Sequence, residues 1–178
     1  MTANRDIRDR APVSPPATPL PSARQMSITV APAGWRDLPQ VAELQRRAFR
    51  PGLAYRLSTL IILKLLPNVR FFVARTPASQ GGRVVGCGIG DRHNNQTRII
   101  NLAVDPDARR RGVGTALLNA LEEALPLGAV MLMVEEDNLG AQALYKRQGY
   151  VPVGTATNYY GKGRSGIWMQ KVRNESDA

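Results

Sequence analysis

A mixed α/β domain, a sheet with helices on its faces, is the fold class this sequence predicts. Three observations carry the prediction. Short strand-like apolar runs alternate with segments of helical period, the pattern of helices packed on a sheet. One of these runs, Ala129–Val134, is continuously apolar, as expected of a central strand covered on both faces. Length and composition agree: the chain has 178 residues, 43% hydrophobic and 21% charged. A domain of about 150 residues buries roughly 68–70% of its unfolded surface, so no disulfide or metal staple is needed. Cys87 is the sole cysteine, which excludes an internal disulfide and predicts a reducing, cytoplasmic setting.

The elements follow in order. Residues 1–25 hold five of the 13 prolines and almost no large apolar side chain, so they are expected to be a disordered tail. Prolines occupy the place of an apolar leader core, which argues against a secretory signal. Met26 opens the first strand, Ser27–Ala31, and the expectation is that Met26 is the natural start of a domain spanning 26–173. Asp37 is placed to cap a helix running to Arg47, with Pro39 in its first turn and Leu38, Val41 and Leu44 on one face. Pro51-Gly52 breaks it. A second helix, Ala54–Leu66, is apolar almost all round and is expected to be covered on more than one side. Strands follow at Val69–Arg75, Arg83–Asp91 and Thr97–Val104, with Gly81-Gly82 and Asn94-Asn95 as the turns. The spacing of Leu117, Leu118, Leu121 and Leu125 predicts a helix over Gly112–Leu125. After the Ala129–Val134 strand come a helix, Gly140–Gln148, and strands near Tyr150–Gly154 and Arg164–Val172.

Charge narrows the function. Lys and Arg number 24 against 14 Asp and Glu, a formal +10. The tail, with four arginines and two aspartates, accounts for +2 of this and leaves +8 on the domain. Such a field attracts phosphates and acidic surfaces, although a solvated basic surface has the same composition. No apolar run reaches the ~18–20 residues of a membrane span; the nearest, Leu57–Leu66, is interrupted by Lys64. With one cysteine and one histidine, His93, soft-ligand metal sites and Cys/His or Ser/His catalysis are nearly excluded.

The most informative stretch is 101–118. A strand ends at Pro106, Arg109, Arg110 and Arg111 follow, and Gly112 and Gly114 open a helix. Helix N-termini expose unpaired N–H groups, glycines let an anion approach the backbone, and arginines add charge-assisted hydrogen bonds. A pyrophosphate fits. The dinucleotide fingerprint fails because Leu117 stands where a third small residue is needed, and Gly161-Lys162-Gly163 does not complete a P-loop.

Residues 130–153 supply the second motif: after the apolar strand come Asn138, Ala141, Leu144-Tyr145 and Gly149-Tyr150. With both motifs present, the chain resembles the GCN5-related N-acetyltransferases, most strongly over 99–172. Within them, Asn101–Gly114 and Asn158-Tyr159-Tyr160 resemble the ribosomal-protein alanine N-acetyltransferases and their N-terminal acetyltransferase relatives. The resemblance implies a seven-stranded mixed sheet flanked by about four helices and splayed between the fourth and fifth strands, 97–104 and 129–134. Acetyl-CoA, with no metal, would lie in that cleft. The backbone of Leu102, Ala103 and Val104 would hold its pantetheine arm. The turn formed by Arg109, Arg110, Arg111, Gly112, Val113, Gly114 and Thr115 would hold its pyrophosphate, and Asn138 would also touch it.

The resemblance also assigns roles in the chemistry. Tyr145 matches the family tyrosine whose phenol donates a proton to the departing sulfur, although a tyrosine there can equally be packing. The alanine N-acetyltransferases carry a glutamate on the strand before the asparagine, and the corresponding residue here is Met133. Glu135, two residues on and on the same face of a regular strand, is the first candidate for the base; its alternative is a solvated strand-end glutamate beside Glu136 and Asp137. Asp91 and His93, by a hairpin, rank lower. The acceptor would be lined by 49–66 and by Tyr159-Tyr160, with Arg50, Arg56 and Lys162 nearby.

The leading expectation is acetyl transfer from acetyl-CoA to a primary amine by direct attack, with a protein N-terminal α-amine as acceptor. The alternatives are a small amine such as a polyamine or aminoglycoside, and a non-catalytic acyl-CoA-binding sensor motivated by Met133. No membrane partner is expected, and nucleic acid only through association with the ribosome, since no recognition motif is present.

Overall fold

The computed structural model describes residues 26–126 and 128–173; the expected tail, 1–25, lies outside them. Seven strands form, β1 (Thr29–Pro32), β2 (Val69–Arg75), β3 (Val84–His93), β4 (Gln96–Val104), β5 (Val130–Glu135), β6 (Val151–Ala156) and β7 (Gly166–Lys171). The helices are α1 (Leu38–Ala48), α2 (Leu57–Leu65), α3 (Val113–Ala124) and α4 (Leu139–Arg147). Each lies within three residues of its expected bounds. The strands make one sheet in the order β1-β2-β3-β4-β5-β7-β6. Its neighbours are antiparallel except β4 and β5.

Alternation along β2 shows the two faces. Phe71 and Val73 join Val41, Leu44, Leu60, Cys87 and Ile89 under α1 and α2. Ala74 joins Val85, Val113 and Leu117 under α3, and this layer continues through Leu118, Leu121, Leu132 and Met169 towards α4. Helix α3 lies close against β3 because Gly86, Gly88 and Gly90 carry no side chains there. A Cβ at Gly86 would come 2.8 Å from both Leu117 Cδ1 and Val113 Cγ1, and one at Gly88 2.9 Å from Leu121 Cδ1. In a close-packed interior that space is not spare. Asn94 and Asn95 both take positive φ, as a two-residue hairpin between β3 and β4 requires.

Three local expectations are corrected. Asp37 stands at the N-cap of α1 but does not cap it: its carboxylate accepts the Gly34 N–H at 2.8 Å and pairs with Arg75. Helix α2 is not covered on several sides. It packs on α1 and β2, burying Leu60 fully, while Ile62 and Leu65 are 59% and 65% exposed. The area over β3 and β4 is already taken by α1, so no second surface is left for it. Strand β5 is covered on one face rather than two: Val130, Leu132 and Val134 are buried, but Met131, Met133 and Glu135 are only partly so. Helices α1 and α2 stop short of β5, which leaves an open platform on that face of β5, β7 and β6.

Candidate active site

The sheet opens between β4 and β5. They pair only at Thr97 with Val130, Arg98 with Met131 and Ile99 with Leu132. At that point β4 bulges. Opposite β3, Gly90 faces Ile99 and Ile89 faces Asn101, so Ile100 is an extra residue. A bulge bends its strand and re-aims the side chains beyond it: Ile99 packs on the α3 and α4 side, whereas Asn101 meets Gln45 of α1. Past the bulge, the edge of β4 along Leu102, Ala103 and Val104 has no strand partner on the β5 side. The opening therefore presents free backbone polar groups on a rigid sheet.

At the C-terminal end of β4 the chain turns into α3. Arg110 and Gly112 take φ of +59° and +86°, a left-handed conformation that glycine adopts without steric cost. No side chain caps α3, and the first backbone bond closing onto its N-terminus is Ala116 N–H to the Gly112 carbonyl. The N–H groups of Val113, Gly114 and Thr115 thus have no partner among the described residues, a ready anion site. The nearby acids are neutralised, since Arg47 reaches Asp105 at 2.7 Å and Asp107 at 2.9 Å. Arg109 is drawn back to the end of α1, donating to the Ala48 carbonyl at 3.1 Å, while Arg110 and Arg111 project into solvent. The side chain of Val113 is buried, so its contribution is the backbone. Gly114 brings α3 up to α4: a Cβ there would lie 3.0 Å from Leu144 Cδ2.

Three tyrosines converge on the opening. The Tyr55 hydroxyl lies 3.5 Å from the Ile100 carbonyl at the bulge, and the Tyr160 hydroxyl donates to the Met133 carbonyl at 3.1 Å. Tyr145 comes from α4, buried, with its ring 5.8 Å from that of Tyr150. Its hydroxyl has no hydrogen-bond partner among the described residues. Burial first, and then the neighbouring Tyr160 phenol, push Tyr145 well above the ordinary phenol range, so it stays protonated. Burial and Tyr159 likewise push Tyr160 up to about 12. Asn138 is exposed at the start of α4 and its Oδ1 accepts the Ala141 N–H at 3.1 Å, an N-cap. Glu135 accepts from Arg164 Nε at 2.6 Å and lies 3.7 Å from Arg50. These partners, chiefly the Arg164 hydrogen bond, hold its carboxyl below the usual carboxylate range despite partial burial. Asp91 accepts from Arg98 Nε at 3.1 Å and Nη2 at 2.6 Å, and His93 is exposed in the hairpin beside Asn94.

Residues 38–150 match the Acetyltransferase (GNAT) family. The chain belongs to that family. An uncharacterised N-acetyltransferase of Methanocaldococcus jannaschii is 34% identical over 143 residues, 78% of this chain and 87% of that protein. The ribosomal protein bS18-alanine N-acetyltransferase of Escherichia coli K12 is 33% identical over 85 residues, 46% of this chain and 57% of that one. Among solved structures, Ard1 from Thermoplasma volcanium superimposes with a TM-score of 0.72 at 27% identity, over 83% of this chain and 99% of its own. The protein is thus a GNAT N-acetyltransferase with acetyl-CoA as co-substrate.

The GNAT motifs do not mark Gln45, Tyr55, Arg164 or the bulge at Ile100. One was signalled: Gln45 falls seven residues after Leu38, on the apolar stripe of α1, where a polar residue needs a buried partner. The ion pairs of Glu135 carry a stability prediction. Its folded pKa lies below the unfolded value of about 4.3, so the stabilisation is present above that pH and is lost as pH falls through the folded pKa. Thermal unfolding of wild type and Glu135→Gln should differ by a constant amount above about pH 5, and the gap should shrink progressively as the pH falls below that. A gap that persisted in acid would mean the carboxylate contributes nothing through its charge.

Proposed function

We propose that the protein acetylates the α-amine at a protein N-terminus, in the cytoplasm, with a ribosomal protein among the acceptor candidates. The observation that carries this reading is the state of Glu135. It is the carboxylate that β5 carries beyond its last pairing with β4, and Arg164 and Arg50 keep it a weak base. A free α-amine has a pKa of ~7.7–8.0, so supplying it neutral at pH 7 costs about 1 kcal/mol. A lysine, at ~10.4, costs roughly 4.6 kcal/mol. A site with a weak base therefore suits the first and not the second. The name of the bS18-alanine acetyltransferase points the same way.

The mechanism follows from the residues. The open N–H groups of Val113, Gly114 and Thr115, with Arg110 and Arg111, bind the pyrophosphate. The free edge of β4 from Leu102 to Val104 holds the pantetheine arm, and Asn138 borders it. The thioester supplies the acetyl electrophile. Glu135, ionised, attracts the incoming ammonium, which gives its proton to solvent water before the nitrogen attacks the carbonyl carbon. As the C–S bond breaks, Tyr145 gives its proton to the sulfur, and the proton that the attacking nitrogen sheds as the amide forms returns the tyrosinate to the phenol.

Removing the two solvent-facing arginines tests the coenzyme half. Charge-assisted hydrogen bonds contribute about 1.5–3 kcal/mol each, so Arg110→Ala with Arg111→Ala should weaken coenzyme binding at least about tenfold, measured by calorimetry. Binding should also become less salt-dependent. The reaction is tested by offering acetyl-CoA, a pool of peptides with varied N-termini and internal lysines, and free polyamines, then locating added acetyl groups by mass spectrometry. Acetyl on α-amines is the expected result. Acetyl on lysine, or on small amines such as polyamines only, or coenzyme binding without any transfer, would overturn it.

A further inference from the structure

We infer that the acceptor groove selects protein N-termini whose first residue is large and apolar; this rests on the α-amine reading and adds the side-chain class. Met133 is the first residue of β5 beyond its last pairing with β4, the one between Leu132 and Ile99. With the co-substrate in the β4–β5 opening, the acceptor amine would approach at this point. The Met133 side chain stands on the platform face, where no helix covers β5, and it lies flat across β7. What permits this is Gly166: a Cβ there would be 2.5 Å from Met133 Sδ, 3.1 Å from its Cγ and 3.3 Å from Tyr159 Cβ. Any side chain at 166 would push the methionine out of its notch.

The wall continues on both sides of that notch. Trp168 is the register partner of Met133. Tyr159 meets the Trp168 ring edge-on at 6.4 Å and the Tyr160 ring at 5.0 Å. Tyr160 in turn ties the wall to β5 through its bond to the Met133 carbonyl. Tyr159 is 56% exposed, and Met133 and Trp168 are partly open, so the surface is reachable. None of the three carries a charge; Glu135 with Arg164 and Arg50 sits at the β5 end beside them, and Arg98, which interacts with Tyr159, is held by Asp91 at 2.6 Å. An N-terminus entering here meets a carboxylate for its amine and a thioether flanked by aromatic residues for its first side chain. Methionine is polarisable and adapts to different apolar shapes, so the wall accepts a class, such as Met, Leu and Phe, rather than one residue.

The test uses full-length protein and peptides identical except for the first residue. A pocket contact made by several methylenes discriminates by about tenfold or more. Met, Leu and Phe N-termini should therefore exceed Gly, Ala and Ser in kcat/KM by at least about tenfold. Tyr159→Ser, at an exposed position, and Met133→Ala should each shrink that ratio. Equal rates across the set, or a preference for Ala and Ser, would overturn this inference while leaving α-amine transfer standing. Acetylation of lysines or small amines alone would overturn both.

Discussion

Tyr145→Phe should lower kcat by about 10²–10³, within the range for loss of a positioned general acid, while coenzyme affinity and Tm barely change. The reason lies in what the hydroxyl does not do. It has no hydrogen-bond partner among the described residues, so removing it orphans no buried group, and the ring contact with Tyr150 at 5.8 Å survives in phenylalanine. Burial keeps the phenol protonated far into the alkaline range. The wild-type rate should consequently rise with deprotonation of the amine and stay level towards about pH 10, with no descending limb from this tyrosine. A Tyr145→Phe enzyme that kept half of its kcat would show that Tyr145 is packing and that the thiolate leaves unprotonated or takes its proton from water.

Much of the fold was legible because its signals are local. The Asn94-Asn95 turn, the period of α3 and the arginine–glycine turn before it each lie within a short stretch of chain, and each formed where expected. What was misread depends on distant parts of the chain. The all-apolar α2 and the continuous apolar run of β5 both look doubly covered, since apolar side chains usually find cover. Here α1 occupies the sheet that would have covered α2, and no described helix lies over the outer face of β5. In the site, the turn proposed to hold the pyrophosphate was readable as a turn into a helix, while the state of Glu135 was not. Its partner Arg164 is 29 residues away, and no periodicity announces a pair across two strands. Met133 showed only that a glutamate was absent; the notch over Gly166 that gives it a place is a tertiary fact.

Gln45→Leu and Asn101→Leu should each destabilise the protein more than the two together. Gln45 and Asn101 are buried and exchange hydrogen bonds, Gln45 Nε2 donating to Asn101 Oδ1 at 2.7 Å and Asn101 Nδ2 donating to Gln45 Oε1 at 3.3 Å. Cys87 beside them contributes little polarity: Gln45 Nε2 is 3.3 Å from its sulfur, and burial pushes the thiol up to about 12. Either single change leaves one amide buried without its partner, at a cost of about 1–3 kcal/mol. In a chain of this size that lowers Tm by roughly 2–12 °C. Replacing both amides by leucine removes both unmet demands and should recover most of the loss, a coupling that a double-mutant cycle measures directly. Activity should not recover in step. Gln45 Oε1 also accepts the Tyr55 N–H at 3.4 Å, and Asn101 follows the Ile100 bulge, so the amide pair ties the segment before α2 to the edge of the opening. The double variant should regain its Tm yet keep a raised KM for the acceptor, with coenzyme affinity unchanged. Recovery of KM together with Tm would show that the pair serves stability alone; a Tm that fell additively would show that the two amides do not depend on each other.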